Sequence, residues 1–237
     1  FARLVHIADV DTILVGDSLG NVIQGRDTTL PVELDDIIYH TRAVMRGNPS
    51  AHVVADMPFM SYQVSVEKGL ESAGRLMKEG GAQAVKLEGG EPVVPLVDRL
   101  TGAGIPVCAH LGFTPQSVHS FGGYRVQGRG DVAEEQLLDD ARALQDAGAY
   151  MLVMEMVPRT LAAKVTEALD IPTIGIGAGP ETSGQVLVLQ DLLGMNSSFT
   201  PRFLKRFADL EETVVDALQR YKDEVRGRDF PEDDHSY

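Results

Sequence analysis

Short apolar runs of strand length recur along the chain, separated by amphipathic stretches of helical length. This alternation is typical of βα units, in which helices connect parallel strands. At 237 residues it predicts one α/β domain with the architecture of a (β/α)8 TIM barrel. The predicted strands are Thr12–Gly16, Ala51–Ala55, Ala84–Leu87, Val107–Leu111, Tyr150–Met154, Thr173–Ile176 and Gln185–Leu189.

These seven strands are one fewer than an eight-stranded barrel needs. The chain begins with FARLVHIADVD, which is predicted to form a helix leading into the first of these strands. We therefore expect that one further strand, the first of the barrel, would precede Phe1. Residues 1–225 are predicted to form a single barrel domain that closes with one or two helices in Thr200–Val225, and residues 226–237 an acidic tail.

Four acidic residues stand at the ends of apolar runs: Asp17, Asp56, Glu88 and Glu155. In a barrel of βα units the carboxyl ends of all strands face one mouth, where the chemistry takes place. Carboxylates gathered there repel one another, and a bound cation removes that cost. Each acid could instead cap the helix that follows it. The recurrence at four strand ends favours a metal site.

Three of these acids, Asp17, Asp56 and Glu88, follow consecutive strands, and adjacent strands lie about 4.8 Å apart. Their carboxylates can therefore converge on one ion, and oxygen ligands suit a hard cation such as Mg²⁺. Lys86 lies two residues before Glu88, so both side chains face the same side of their strand. Lys86 could simply pair with one of the acids, but a lysine facing a cation site is better explained by an anionic ligand.

The charge balance argues against some classes of partner. With 35 acidic and 21 basic residues, the net charge of −14 disfavours binding to nucleic acid or to anionic membranes. Arginine outnumbers lysine, and together with the acidic excess this indicates a halophilic protein, although a high-GC genome would also favour arginine. No apolar stretch has the length of a membrane span and no signal peptide is recognised, so a cytoplasmic location is expected.

Three further features leave alternatives open. Gly122–Gly130 is rich in glycine and arginine, and it could form a lid or an inert surface loop. The glycines of Gly175–Gly179 could indicate a dinucleotide site, but too little helix follows them, which favours a close turn at the barrel mouth. His110 ends a strand and could be structural or functional.

The segment VGDSLGNVIQGRDTTLPVELDDIIYHTRAV, residues 15–44, closely resembles the ketopantoate hydroxymethyltransferase family. The resemblance continues in the same order over nearly the whole chain. It is carried by VVADMPFMSY (53–62), AVKLEGG (84–90), PVCAHLGFTPQSV (106–118), GGYRVQGRG (122–130), VMEMVP (153–158) and IGIGAGPETSGQVLVLQDLLGM (174–195). The family pattern also begins with a strand that is absent before Phe1, in agreement with the strand count. The chain departs from the pattern at Glu181–Ser183, where the family often has a Cys-Asp pair, and this puts a local contact in question.

The resemblance implies a (β/α)8 barrel of the phosphoenolpyruvate/pyruvate type. It implies transfer of a hydroxymethyl group from 5,10-methylenetetrahydrofolate to 3-methyl-2-oxobutanoate through a Mg²⁺-stabilised enolate, giving 2-dehydropantoate in the first step of pantothenate biosynthesis. The matching positions are Asp17, Asp56 and Glu88 for the metal; Asp17, Ser18, Asp56, Lys86 and His110 for the oxoacid; and Glu155 for the general base. A homo-oligomer, a decamer of two stacked pentamers, is also implied.

Two other functions are consistent with parts of this pattern. A related barrel lyase or aldolase could act on another 2-oxoacid through the same metal–enolate chemistry, and an assay with and without folate would separate the two enzymes. A barrel that keeps the fold and lacks the chemistry would not need the complete set of ligands and base. A metal titration without divalent-ion binding would favour that second alternative.

Overall fold

A computed structural model describes residues 1–47 and 50–237. In this part of the chain seven strands form one sheet, whose spatial order follows the sequence order. Every neighbouring pair is parallel. The strands are β1 (Thr12–Val15), β2 (His52–Asp56), β3 (Ala84–Glu88), β4 (Val107–Gly112), β5 (Met151–Glu155), β6 (Thr173–Ile176) and β7 (Gly184–Gln185). The predicted parallel α/β sheet is confirmed.

Helices precede β1 and connect successive strands up to β6. They are α1 (Ala2–Ile7), α2 (Leu19–Val22), α3 (Leu34–Gly47), α4 (Val66–Arg75), α5 (Val94–Gly102), α6 (Val118–Phe121), α7 (Asp131–Asp146) and α8 (Arg159–Ala168). Helix α4 continues into a π-helical turn at Leu76–Gly80, and 3₁₀ turns form at Glu91–Val93 and Pro115–Ser117. Helix α1 confirms the helix predicted before the first strand.

Capping does not explain the four strand-end acids. The helices that follow them, α2, α4, α5 and α8, have other residues at their N-caps, namely Ser18, Ser65, Val93 and Pro158. Of these only Ser65 accepts a capping hydrogen bond, from the N–H of Lys68 at 3.2 Å. The four carboxylates must therefore be explained by contacts at the strand ends.

The two faces of the sheet have different surroundings. Residues such as Val53, Val85 and Leu152 belong to the main core, together with buried residues of the helices. On the other face, a smaller apolar cluster is formed by Val54, Ala84, Cys108, Met151 and Val153. Side chains alternate along a strand, so residues two positions further on share that face. These are Asp56, Lys86, His110 and Glu155, which places polar groups directly beyond the apolar cluster.

The end of the sheet differs from the sequence-based expectation. Strand β7 contains only Gly184–Gln185, and Leu189–Leu192 is a helix, α9, so the predicted strand Gln185–Leu189 is wrong. A short apolar run such as residues 186–189 does not distinguish a strand from a helix by its periodicity. Ladder pairing ends at the partners Ile174–Gly184 and Gly175–Gln185.

The predicted C-terminal helical region begins later than expected. Helix α10 spans Leu210–Gly227, whereas Thr200 was the predicted start. The guanidinium of Arg206 donates to the carbonyls of Asn196 at 3.2 Å, Ser197 at 2.9 Å and Phe199 at 3.2 Å. These bonds stabilise a loop before α10.

The chain divides into two compact units, Phe1–Val186 and Leu187–Tyr237. The first contains the sheet and α1–α8, and the second contains α9, α10 and a 3₁₀ turn at Asp233–His235. Helix α10 continues past the predicted boundary at residue 225. In the described part of the chain, no helix combines the length and apolar character needed to cross a membrane.

Candidate active site

The three predicted metal ligands lie in one connected group at the carboxyl ends of β1, β2 and β3. Asp17, Asp56 and Glu88 are all buried. The backbone N–H of Asp17 donates to Oδ2 of Asp56 at 2.8 Å. Gln116 joins Asp17 to Glu88, because its Nε2 donates to Asp17 Oδ2 at 2.9 Å and its backbone N–H donates to Glu88 Oε2 at 3.0 Å. The structure therefore brings the three carboxylates together.

Lys86 supplies positive charge inside this group. Its Nζ lies 2.8 Å from Asp56 Oδ1 and 3.9 Å from Glu88 Oε1. Asp56 and Lys86 are register partners on adjacent strands, which accounts for the contact. Burial opposes the ammonium charge, but the charges of Asp56, Glu88 and Asp17 outweigh it and raise the pKa of Lys86 above its usual range. Lys86 is therefore a buried cation.

Beside a single lysine, the three carboxyl groups do not all ionise readily. Burial, together with the charges of Asp56 and Glu88, raises the pKa of Asp17 to about 8. Burial also raises the pKa of Asp56, in spite of the neighbouring Lys86. For Glu88 burial acts in the same direction, but His110 and Lys86 outweigh it and lower the pKa. The group as a whole favours an additional positive charge.

His110 lies between the acidic group, which consists of Asp17, Asp56 and Glu88, and the predicted base, Glu155. Its Nδ1 is 3.5 Å from Glu88 Oε1 and 3.2 Å from Lys86 Nζ, and its Nε2 is 3.5 Å from Glu155 Oε2. Burial and Lys86 act to lower the pKa of His110, but Glu155 and Glu88 reverse this and raise it. The Glu155 side chain is 16% exposed, compared with 3% for that of His110. Glu155 is thus the carboxylate of this set that remains accessible.

Backbone contacts with β4 hold Glu155 in place. The N–H of Phe113 donates to the carbonyl of Glu155 at 2.7 Å. Gly112, the register partner of Glu155, has φ +93°, and a Cβ there would clash with the Glu155 carbonyl oxygen. Glycine is required at this position because both the conformation and the close approach exclude a side chain.

The Gly122–Gly130 loop lies next to the predicted base. The N–H of Gln127 donates to the carbonyl of Met156, the residue after Glu155, at 3.0 Å. Burial and the charge of Glu155 raise the pKa of Tyr124, whose ring lies 4.9 Å from that of Phe113. The loop therefore borders Glu155.

Ser18 is placed beside Asp56. A Cβ at Gly16 would lie 3.2 Å from Ser18 Oγ and 3.3 Å from Asp56 Oδ2, so both polar groups border the same glycine. Ser18 is partly exposed and makes no side-chain capping bond. Its hydroxyl is therefore available at the edge of the acidic group.

The segment Glu181–Ser183, which departs from the family pattern, is hydrogen-bonded to β6 through Ser183. The backbone N–H of Ser183 donates to Thr173 Oγ1 at 3.3 Å, and Ser183 Oγ accepts from the Thr173 N–H at 3.2 Å. Glu181 forms an ion pair with Arg159 at the start of α8. Ser183 thus has a structural contact of its own.

Gln116 and Tyr62 contact the acidic group, although no local sequence pattern predicts these contacts. The Tyr62 hydroxyl lies 3.1 Å from the Glu88 carbonyl and 2.9 Å from Gln116 Oε1, and it accepts from the Glu88 N–H at 3.1 Å. Both residues fall in segments that carry the family resemblance, yet their partners are 26 to 99 residues away in sequence. Only the fold reveals these contacts.

The donor chemistry of the group fits a hard divalent cation. In residues 1–47 and 50–237 no three His, Cys, Asp or Glu side chains form a ready-made metal-binding cluster. However, Glu88 Oε1 is buried without a hydrogen-bond donor, whereas Asp56 Oδ1 lies 2.8 Å from Lys86 Nζ. Buried carboxylate oxygens that lack donors are suitable ligands for Mg²⁺.

Solved structures with the same fold confirm the barrel class. Phosphoenolpyruvate phosphomutase from Streptomyces platensis subsp. rosaceus superposes with a TM-score of 0.61 at 13% identity, over 95% of this chain and 79% of that protein. A 2,3-dimethylmalate lyase of the PEP mutase/isocitrate lyase superfamily gives a TM-score of 0.58 at 17% identity, over 95% and 78%. At this identity the likeness concerns the fold alone, and the expected parallel α/β barrel fold is confirmed.

Sequence relatives identify the family. A 3-methyl-2-oxobutanoate hydroxymethyltransferase of Moorella thermoacetica is 56% identical, over 99% of this chain and 87% of that protein. The protein of the same name from Leptospira biflexa is 54% identical, over 100% and 89%. The family model for ketopantoate hydroxymethyltransferase matches residues 1–233. The chain belongs to the ketopantoate hydroxymethyltransferase family and is a hydroxymethyltransferase.

Proposed function

We propose that this protein transfers a hydroxymethyl group from 5,10-methylenetetrahydrofolate to 3-methyl-2-oxobutanoate. The product is 2-dehydropantoate, and the reaction is the first step of pantothenate biosynthesis. Family membership supports this reaction. One structural observation carries the proposal. The buried group of Asp17, Asp56 and Glu88 is connected through His110 to the accessible carboxylate of Glu155.

Asp17, Asp56 and Glu88 are the residues that would hold a divalent cation, Mg²⁺. When bound, the cation supplies a Lewis acid for the keto group of the oxoacid. Lys86 and Ser18 lie beside Asp56 and would bind the anionic oxoacid. Local positive charge is needed there, because the protein as a whole carries −14 and both substrates are anions.

Glu155 is the residue that would remove the proton from C3 of the oxoacid. A general base needs a free lone pair and access to the substrate, and Glu155 is less buried than the proposed ligands. When the C3–H bond breaks, its electron pair moves toward the keto oxygen. Water cleaves the two C–N bonds of the folate methylene bridge, so that tetrahydrofolate leaves with both hydrogens of the water and the one-carbon unit keeps its oxygen. C3 then bonds to the carbon of this unit, and its oxygen takes up the proton from Glu155 and becomes the hydroxyl group.

We further propose a cytoplasmic homo-oligomer, a decamer, that acts on small molecules and binds neither nucleic acid nor membranes. The family resemblance supports the assembly, and the acidic surface supports the absence of polyanionic partners. Light scattering coupled to size exclusion would measure the assembly: a mass of ten chains is expected, and a monomer would contradict it.

Deuterium exchange at C3 of 3-methyl-2-oxobutanoate tests the proposed function without the folate. We expect proton NMR in D₂O to show exchange that requires both the protein and Mg²⁺. Asp56→Ala should abolish this exchange, whereas Asp98→Ala, at an exposed position of α5, should leave it unchanged. Exchange that survives EDTA and Asp56→Ala would contradict the proposal.

A further inference from the structure

We infer that Gln116 is the positioning residue of the proposed cation site, because it holds the carboxylates of Asp17 and Glu88 in their places at the same time. This inference rests on the proposed function and adds to it a residue that contacts the ligands rather than the ion. Gln116 is 6% exposed and lies in the 3₁₀ turn Pro115–Ser117. It therefore reaches the acidic group from the segment that follows β4.

The amide of Gln116 is fixed in one orientation. Its Oε1 accepts from the Tyr62 hydroxyl at 2.9 Å and from Nε2 of Gln63 at 3.0 Å. Its Nε2 donates to Asp17 Oδ2 at 2.9 Å and to the carbonyl of Met57 at 3.0 Å. Both lone pairs and both hydrogens of the amide are thus used. A flipped amide would turn its oxygen toward the Met57 carbonyl and its NH₂ group toward Nε2 of Gln63, so the bonds to both of these groups would be lost.

Gln116 occupies one oxygen of each carboxylate that it contacts. Its side chain binds Oδ2 of Asp17, and its backbone N–H binds Oε2 of Glu88. The other oxygen of Glu88, Oε1, is buried without a hydrogen bond. Hydrogen bonds from outer residues orient the ligands of a metal and leave the remaining oxygens free for the ion.

The turn that carries Gln116 also connects the acidic group to the base. Pro115 occupies the first turn of the 3₁₀ segment, and the Ser117 N–H closes it on the Thr114 carbonyl at 2.8 Å. Phe113, three residues before Gln116, donates its N–H to the carbonyl of Glu155 at 2.7 Å. One short segment therefore positions both parts of the proposed site.

Manganese binding provides a test that does not depend on turnover. The intact protein is titrated with Mn²⁺, and the free ion is measured by electron paramagnetic resonance. Gln116→Met keeps a similar volume and removes the amide, and we expect its Kd for Mn²⁺ to rise about 10–100-fold. Tyr62→Phe leaves Gln63 as a partner of the amide oxygen, and we expect a smaller rise. The matched control is Gln145→Met, since Gln145 Oε1 accepts from the N–H groups of Asp170 and Ile171; it should bind Mn²⁺ like the parent.

Turnover at different Mn²⁺ concentrations separates positioning from general damage. If Gln116 acts through the cation site, saturating Mn²⁺ should restore kcat of Gln116→Met to within about tenfold of the parent, while the activation constant for Mn²⁺ stays raised. A kcat that stays low at saturating Mn²⁺ would assign Gln116 a structural role and overturn the inference.

The outcomes distinguish this inference from the proposed function. If the parent protein does not bind Mn²⁺, the proposed function itself fails. If the parent binds Mn²⁺, and Gln116→Met and Tyr62→Phe bind it with the same Kd as the parent, only the role of Gln116 is overturned. If circular dichroism shows that Gln116→Met does not fold, Tyr62→Phe decides, and an unchanged Kd in that variant contradicts the inference.

Discussion

At the scale of single residues, the carboxylates of the acidic group are buried close together and repel one another when they are ionised. Asp17, Asp56 and Glu88 are 3%, 2% and 6% exposed, so water screens their mutual repulsion poorly. Lys86 offsets part of this repulsion, and leaving a buried charge without its partner typically costs about 3–5 kcal/mol. A bound divalent cation would therefore stabilise the folded protein in addition to any role in the reaction.

Replacing Glu155 by glutamine should separate proton removal from binding. Glu155→Gln keeps the size of the side chain but removes the basic group. We expect Mg²⁺ and oxoacid to bind nearly as before while turnover falls by about 10²–10⁴-fold, the usual contribution of a positioned base. Steady-state kinetics and a binding titration on the same preparation check both parts.

Exchange at C3 then shows when Glu155 acts. The glutamine variant should lose deuterium exchange together with transfer. If it exchanges as fast as the parent while transfer is lost, Glu155 acts after the proton is removed and the base lies elsewhere.

Sequence patterns identify charged site residues more readily than neutral ones. Asp17, Asp56, Glu88 and Glu155 can be selected because each ends an apolar run, and the structure places them in one region, although their individual roles stay predictions. Gln116 has no such signal, since its role depends on contacts with residues 28, 54 and 99 positions away. A buried neutral amide becomes recognisable only once the strands are in register.

At the scale of elements, the strands are predictable where apolar runs are long and end abruptly. The predicted strand Thr173–Ile176 matches β6, and Ala84–Leu87 is one residue shorter than β3. The predictions fail after Gly184, where β7 is brief and tertiary contacts decide the structure. Before α10, the Arg206 side chain binds three carbonyls, and helix propensity does not include such bonds.

Alanine at Gly112 should disrupt the junction between β4 and β5. Gly112→Ala combines an unfavourable positive φ, at about 1–3 kcal/mol, with a clash against the Glu155 carbonyl, at about 1–3 kcal/mol. Gly123→Ala is the matched control, because Gly123 has φ +109° but nothing lies within 4 Å of its added Cβ. Urea denaturation should show the larger loss of unfolding free energy for Gly112→Ala, and equal losses would contradict this account.

A pH-dependent contact links the start of β2 to the residue before β5. His52 Nε2 lies 2.8 Å from the Tyr150 hydroxyl, and burial lowers the pKa of His52. The unfolded chain therefore takes up a proton more readily. This contribution to stability is present above the unfolded pKa of about 6.5 and is lost as the pH falls through the lower folded pKa.

His52→Gln removes this titration. Between pH 7.5 and 5.5 the parent should lose more unfolding free energy than the variant, as measured by urea denaturation at each pH. Parallel curves for the two proteins would show that His52 makes no such contribution.

At the scale of the whole molecule, the net charge of −14 should make stability depend on salt. The Debye length falls to about 3 Å at 1 M salt, so repulsion among exposed carboxylates is screened. We expect Tm to rise steeply from low to molar potassium chloride. A matched sucrose series controls for general solute exclusion. A Tm that is flat or falls with salt would contradict the halophilic character and leave the proposed reaction untouched.

The fold and the family define the chain at different levels of detail. Structural neighbours at 13–17% identity share the barrel and belong to enzymes with other names. Relatives at 54–56% identity share the family. The reaction itself must be tested on this protein, since a related lyase would use the same barrel and the same metal–enolate chemistry.

Transfer of labelled carbon tests the central claim most directly. The protein is incubated with 3-methyl-2-oxobutanoate, Mg²⁺ and 5,10-methylenetetrahydrofolate carrying ¹³C in the methylene bridge, and the products are followed by NMR. We predict that ¹³C appears as a hydroxymethyl group bonded to C3 of the oxoacid, and only when all components are present. If the label stays on the folate while C3 exchanges its proton or the oxoacid is cleaved, the protein is not acting as this hydroxymethyltransferase.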